Sequence, residues 1–305
     1  MTRLMAILAL ALSGLLMPNV AMAANCEISG VTPLEFLAVD TLGGGKNTTA
    51  DISITCSEVN DEQVTMCIAL GDASSQTDGP SHILSSGGSQ LLFGLYTNET
   101  GGTRWGSDAK PETGSPYLFR SSANDGGLAA EVRVYGIVPG GQAMAATGGY
   151  SSSVPVSVSY LEGNLADCAS LSGAPSVTSA LSVTAQVEPN CLIEADDINF
   201  GTVGIIDAPL TAQGGLDVTC TPGAAYTISM GQGNHYQDGS RHMSSGTGMI
   251  SYGLFHDEAG GISWDTPFEE TATGNDDQPV WGRVLPQPAS PGDYSDTVTV
   301  TINYQ

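Results

Sequence analysis

One alternating segment occurs twice in this chain. At residues 294–305, YSDTVTVTINYQ, the side chains of Val298, Val300, Ile302 and Tyr304 share one face, and Thr297, Thr299, Thr301 and Asn303 the other. A period of two over eight residues, rich in β-branched side chains, predicts a half-buried strand. Residues 150–160, YSSSVPVSVSY, place Val154, Val156, Val158 and Tyr160 on the equivalent face. The internal copy has sequence after it that can turn and pair with its free edge, whereas the second copy ends the sequence. An unpaired, apolar-faced edge is a template for a strand from another chain. The expected acceptor face is therefore Val298, Val300, Ile302 and Tyr304.

The duplication extends beyond this strand. LLFGLYTNETGGTRW at 91–105 matches MISYGLFHDEAGGISW at 249–264 along the Gly-Leu-aromatic run, the paired glycines and the tryptophan, and VYGIV at 134–138 matches VWGRV at 280–284. Self-similarity of this kind points to two copies of one fold. Glycine is frequent, charge is sparse, and outside the extreme N-terminus no segment carries a sustained 3.6-residue apolar stripe, so both copies read as all-β. The expected domains span 24–170 and 181–305, joined by a small, polar linker at 171–180. Residues 181–188 read as a strand, in which Leu181, Val183, Ala185 and Val187 alternate against Ser182, Thr184 and Gln186. This strand precedes the first cysteine of copy two and has no counterpart before Cys26. It either completes copy one within the chain or opens copy two.

Six cysteines, Cys26, Cys56, Cys67, Cys168, Cys191 and Cys220, suit disulfides in an oxidising compartment. The repeat favours Cys26–Cys56 and Cys191–Cys220 as homologous bridges, leaving Cys67 to pair with Cys168. The N-terminus agrees with export. Arg3, the apolar run 4–16 and Ala21-Met22-Ala23 form the pattern of a signal peptide over 1–23. The formal charge is −24, from 32 acidic and 8 basic residues. Such a surface repels phosphate backbones, which argues against nucleic acid as a partner.

An early cysteine pair, Arg241-x-Met243, the Gly-Leu-aromatic strand, the tryptophan, the V-Y/W-G-x-V strand and the final alternating strand together resemble the spore coat protein U domain. That family supplies subunits of archaic, Csu-type chaperone–usher pili of Gram-negative bacteria. The resemblance covers most of copy two and copy one more loosely. It implies two immunoglobulin-like β-sandwich domains in tandem, the C-terminal one an incomplete pilin fold lacking its last strand. A periplasmic pilus chaperone, and then an adjacent pilus subunit placed by the outer-membrane usher, would fill the gap by β-strand addition. Most such subunits have one domain and a donor extension before the first cysteine. This chain departs on both counts, as do two-domain tip adhesins. The implied role is therefore surface attachment and biofilm formation at the pilus tip on the cell surface, with an N-terminal adhesin domain that binds an abiotic or host surface. A minor pilus or coat subunit without adhesive role is the alternative, and a secreted carboxylate-based hydrolase a remote one.

No residue pattern calls for catalysis, a cofactor or a metal. His235 and His242 with Asp238 and Asp257 match no His-Glu-x-x-His or Cys2His2 spacing, and 194–197 and 275–277 lack the spacing of an EF-hand loop. There is no G-x-S-x-G elbow, and no carboxylate pair stands out for glycoside hydrolysis. For surface binding, Tyr117, Leu118 and Phe119 form an apolar run flanked by Pro, Gly and Ser, of the kind that marks contact sites when exposed; the other reading folds it back as a strand. Met144, in 139–149, is a second candidate. Their convergence at one pole would make a grip for hydrophobic surfaces.

Overall fold

The computed structural model describes residues 24–305 except Ala73 and Thr100; the predicted signal peptide, 1–23, lies outside the described residues. Eleven strands build the first unit: β1 (Asn25–Val31), β2 (Leu34–Val39), β3 (Lys46–Ser57), β4 (Gln63–Leu70), β5 (Thr77–Asp78), β6 (Ser81–Ser86), β7 (Ser89–Tyr96), β8 (Tyr117–Ser122), β9 (Leu128–Val138), β10 (Gly148–Glu162) and β11 (Ser176–Val187). Eight build the second: β12 (Cys191–Ala195), β13 (Leu210–Cys220), β14 (Ala225–Met230), β15 (Arg241–Ser244), β16 (Met249–Phe255), β17 (Phe268–Thr271), β18 (Gln278–Val284) and β19 (Val300–Tyr304). Two short 3-10 turns are the only helical elements among the described residues.

Alternation drives the strands inward. In β3, Ala50, Ile52, Ile54 and Cys56 are buried while the residues between them are not, and β9 does the same with Val132, Val134 and Val138. One layer of the first unit runs β1-β3-β9-β7. The chain crosses at the β6–β7 hairpin into the other layer, where β10 is flanked by β4 and β11 and β11 by β2. The apolar faces meet in one continuous core that includes Phe36, Ile54, Phe93, Trp105, Val156 and Leu181.

The second unit repeats this order with parts left out. Its sheets run β12-β13-β18-β16-β15 and β17-β14-β19. They correspond to β1-β3-β9-β7-β6 and β8-β4-β10, and the bridge Ser295–Ser244 repeats the Ser151–Ser85 pairing of the first unit. Among the described residues, no strand is assigned at the place of β2 and nothing takes the place of β11.

Residues 171–180 do not form the expected linker, nor does the second domain start at 181. Strand β11 begins at Ser176, pairs antiparallel with β10 from Ser176–Ser159 to Val187–Gly148, and pairs in parallel with β2 on its other edge. Its apolar residues explain this. Leu181, Val183, Ala185 and Val187 are buried in the first unit's core, so the small, polar composition of 171–180 continues straight into a strand. The boundary falls at 188–190. There Glu188 N–H donates to the Val39 carbonyl and Asn190 Nδ2 to Asp40 Oδ1 (2.9 Å), while Thr147 N–H reaches the Pro222 carbonyl across the junction.

Three disulfides close in the structure. Cys26–Cys56 and Cys191–Cys220 each staple the first strand of a unit to its neighbour, and Cys67–Cys168 ties β4 to the turn that leads into β11. No free cysteine remains among the described residues.

Candidate functional site

The two copies of the alternating strand have opposite fates. In the first unit, Val154, Val156, Val158 and Tyr160 of β10 are 2%, 0%, 0% and 6% exposed. Strand β11 lies along one edge and β4 along the other. On the far side of β11, β2 buries Leu34, Phe36 and Val39. Gly136 of β9 makes room for β2, since a Cβ there would meet Leu34 Cδ2 at 2.5 Å and Phe36 Cζ at 2.9 Å.

The second unit contains the same surroundings without the inserted strand. Strand β19 pairs with β14 from Tyr226–Tyr304 to Met230–Val300; among the described residues, none pairs with its other edge. Val298, Val300 and Ile302 are only half-buried, and Tyr304 is 44% exposed. The counterpart of β2 is 198–203. A Cβ on Gly282 would meet Phe200 Cζ at 2.6 Å and Ile198 Cγ2 at 3.0 Å, which equates Ile198 with Leu34 and Phe200 with Phe36. Gly201, at φ +75°, then stands where Leu37 takes φ +55°, both in the left-handed region that costs a side chain strain. Val203, the counterpart of Val39, is 45% exposed, and Ile205 80%. No strand is assigned over 196–209.

What results is a groove at the place that β11 fills in the first unit, bounded by the free edge of β19 and by residues 198–205. The core of this unit falls into two clusters. One cluster surrounds Val218, Ile228, Leu254 and Trp264; a small second one holds Ile206, Ile250 and Val284. Unpaired backbone N–H and C=O groups along β19 and an apolar floor together suit an extended strand.

The head of the groove is polar. Asp296 has a side chain 1% exposed, and its Oδ2 accepts from Tyr252 OH at 2.7 Å. Its Oδ1 accepts from Asn234 N–H at 3.0 Å and lies 3.0 Å from His235 Nδ1. Burial by itself would raise the Asp296 carboxyl, but the hydrogen bonds from Tyr252, His235, Thr297 and Asn234 outweigh it and hold it below the usual carboxylate range. Burial and the bond to Asp296 push the Tyr252 phenol up. Beside it, the buried Arg241 donates to the Gly231 carbonyl and to Asp265 Oδ1. Sequence reasoning passed over Asp296; the signal was the aspartate at this place in the second strand copy where the first has Ser152.

Tyr117, Leu118 and Phe119 do not form an exposed loop: they open β8, hydrogen-bonded to β4 and half-buried. Ring contacts cause this, Tyr117 lying 5.0 Å from Trp105 and 6.3 Å from Phe119 by centroids, so the run packs its aromatics back on the core. Met144 is 82% exposed, in the loop that contacts the second unit through Thr147. Tyr117 stands level with Val158, ten residues along β10 from Gly148. At ~3.3 Å per residue that is about 33 Å, so these residues do not meet at one pole. His242 Nδ1 lies 3.0 Å from the Ser240 carbonyl, and no group of three metal-ligating side chains gathers among the described residues.

A family model, the Spore Coat Protein U domain, matches residues 13–157 and again 177–301. The chain belongs to the spore coat protein U domain family. Among solved structures, its fold resembles a chain of the CsuC–CsuE chaperone–tip adhesion subunit pre-assembly complex from archaic chaperone–usher Csu pili of Acinetobacter baumannii. That likeness has 18% identity and a TM-score of 0.52, covering 91% of this chain and 99% of that one. The CupB6 tip adhesin from Pseudomonas aeruginosa is more distant, at 13% identity and TM-score 0.39, with 92% and 94% covered. No curated protein sequence matches significantly. At these identities the likeness is one of fold: this member of the family is an all-β chain built like a two-domain pilus subunit.

Proposed function

We propose that this chain is the tip subunit of a chaperone–usher pilus, exported through the periplasm to the cell surface, where the first unit serves as the adhesive head. One observation carries the reading. The same alternating face is covered by β11 in the first unit and left half-exposed in the second. A closed unit followed by an open one suits a subunit that receives a strand through its second unit. The strand before the second unit's first cysteine, which single-domain relatives would offer to a neighbour, is here built into the first unit. In this reading Val298, Val300, Ile302 and Tyr304 receive a strand from a periplasmic chaperone, and later, at the outer-membrane usher, from the adjacent subunit. The first unit then points away from the fibre towards an abiotic or host surface and supports attachment and biofilm formation.

The test is to purify the tagged chain from its native periplasm. A stoichiometric, chaperone-sized partner that cross-links to residues 297–304 and is displaced by a strand peptide is the expected result. A folded, partner-free monomer whose C-terminal strand is fully protected from hydrogen exchange overturns the groove. Separately, fibres assembled without this chain should lose attachment; unchanged attachment would make it a structural subunit instead.

A further inference from the structure

The units differ at the place where the chain enters each sandwich. Two residues before the first cysteine stand Ala24 in one and Pro189 in the other, each followed by an asparagine. Pro189 continues the chain from β11 and, as a proline, has no backbone N–H to satisfy. Ala24 has one, and a side chain receives it: Ala24 N–H donates to Glu162 Oε1 at 2.8 Å. Ala24 itself packs on the core of the first unit.

Glu162 is the last residue of β10, and it holds more than Ala24. Its Oε2 accepts from the backbone N–H groups of Asn60 (3.1 Å) and Asp61 (3.0 Å), and its Oε1 also from Asn60 Nδ2 at 3.3 Å. The loop between β3 and β4 is thereby fastened on one side, while Val59 N–H donates to the Gly126 carbonyl on the other. That loop carries Glu58, Asp61 and Glu62. Among the described residues no Lys, Arg or His forms an ion pair with Glu162. Arg120, on the nearby β8, turns its guanidinium to the carbonyls of Leu165 and Ala166. A carboxylate set among three others is best balanced by a positive charge.

We propose that signal-peptide cleavage after Ala23 makes that charge: the new α-ammonium of Ala24 binds Glu162 and locks the β3–β4 loop. Hydrolysis adds one water across the Ala23–Ala24 amide bond. Ala23 leaves with the signal peptide as a carboxylate, and the Ala24 nitrogen takes up the proton. An α-amino group titrates near about 7.7–8, so at neutral pH it is mostly charged. Its bond to Glu162 becomes charge-assisted, which strengthens it. Glu162 and Gly148 are opposite ends of β10, about 46 Å apart at ~3.3 Å per residue. Gly148 follows Thr147, which touches the second unit. The pole completed by cleavage is thus the one farthest from the second unit, the end that the tip reading turns towards a surface. This inference rests on the export reading above and is independent of the groove.

The experiment exports the full chain with its own signal peptide and determines the intact mass and N-terminal sequence of the product. Hydrogen exchange at the Asn60 and Asp61 amides is then compared with that of two variants. One inserts a glycine between Ala23 and Ala24, which keeps the Ala24 N–H but moves the ammonium about 3.8 Å along the chain. The other is Glu162→Gln, which keeps an acceptor oxygen without the charge. The mature chain should begin at Ala24, and the inserted glycine should speed exchange at both amides by about 3- to 10-fold. In the Glu162→Gln background the same insertion should have no effect. Exchange unchanged by the glycine, or an effect that survives Glu162→Gln, would overturn the proposal. An exported chain that begins at another residue would overturn it too, leaving export in place. A chain that keeps its signal peptide would instead overturn the export reading, and this inference with it.

Discussion

Strands β10 and β19 carry nearly the same sequence and have different structures. Strand β10 is 15 residues long; β19 is 5, and residues 296–299 of the same alternating run have no strand assignment. The residue pairs differ less than their surroundings do. Val156 and Val300 are both valines, yet one is fully buried and the other is not. The same holds across the gap, where Val39 is 1% exposed and Val203 45%. Even Trp105 and Trp264 diverge: Trp105 Nε1 donates to the Ile68 carbonyl at 2.8 Å, whereas Trp264 Nε1 is buried and has no hydrogen-bond partner among the described residues. One strand, present or missing, orders both of its neighbours and joins the two halves of a core. A sandwich of this kind is a cooperative object with a removable part.

The most direct way to break the comparison is to open the closed unit. Leu181 and Val183 of β11 are 0% exposed, and burying a carboxylate at either costs at least about 3–5 kcal/mol. Together the substitutions Leu181→Asp and Val183→Asp exceed the few kcal/mol by which a domain is usually stable. The first unit should lose its cooperative transition and become sensitive to protease, while the second unit, with its own disulfide, keeps its hydrogen-exchange pattern. A first unit that stays folded would mean that β11 covers a core able to stand without it.

Next in size is the bridge that only the first unit has. Cys67–Cys168 spans 101 residues and fastens the chain just before β11 begins. Loop-closure reasoning gives it about 4–5 kcal/mol, against about 3–4 for each of the thirty-residue bridges. Replacing Cys67 and Cys168 with serine should lower the first unit's free energy of unfolding, read from its urea transition, by that amount and leave the second unchanged. Equal loss in both units would show that they do not unfold independently.

The alternating runs, the two-copy order and the cysteine spacing were all legible because each is a local pattern repeated. The strand at 181–188 was legible as a strand, but its owner was not. Alternation states which face is buried and says nothing of which neighbour buries it. The reading of 171–180 as a linker failed for the same reason, since small polar residues serve equally in a turn and in the exposed half of a strand. Tyr117, Leu118 and Phe119 looked like a contact loop because their Pro, Gly and Ser flanks are loop signals, while the ring contact with Trp105 that pulls them inward joins residues twelve apart. Asp296 escaped notice because one aspartate among 32 acidic residues carries no weight until its burial is known.

The smallest expected difference is one of acidity, and it comes from two places where the units differ: His82, where the second unit has Arg241, and Asp296, where the first has Ser152. His82, buried in the first unit, is pushed down to about 4, chiefly by burial and further by the charge of Arg104. An unfolded histidine titrates near 6.5. Between those values the unfolded chain holds a proton that folded His82 refuses, so the free energy of unfolding falls as pH falls, by about 3 kcal/mol in all. Asp296 works in the other window. Its carboxyl lies below the ordinary value, so its contribution is fully present above about 3.8 and is lost only as pH drops through its folded value. Unfolding by urea at pH 7 and pH 4.5, followed separately in each unit by hydrogen exchange, should therefore show the first unit weakening by His82's share while Asp296 still supports the second. The substitution His82→Leu should flatten the first unit's profile over that range. A first unit equally stable at both values would mean that His82 finds a proton acceptor on folding, and that the closed unit, like the open one, keeps a charge in its core.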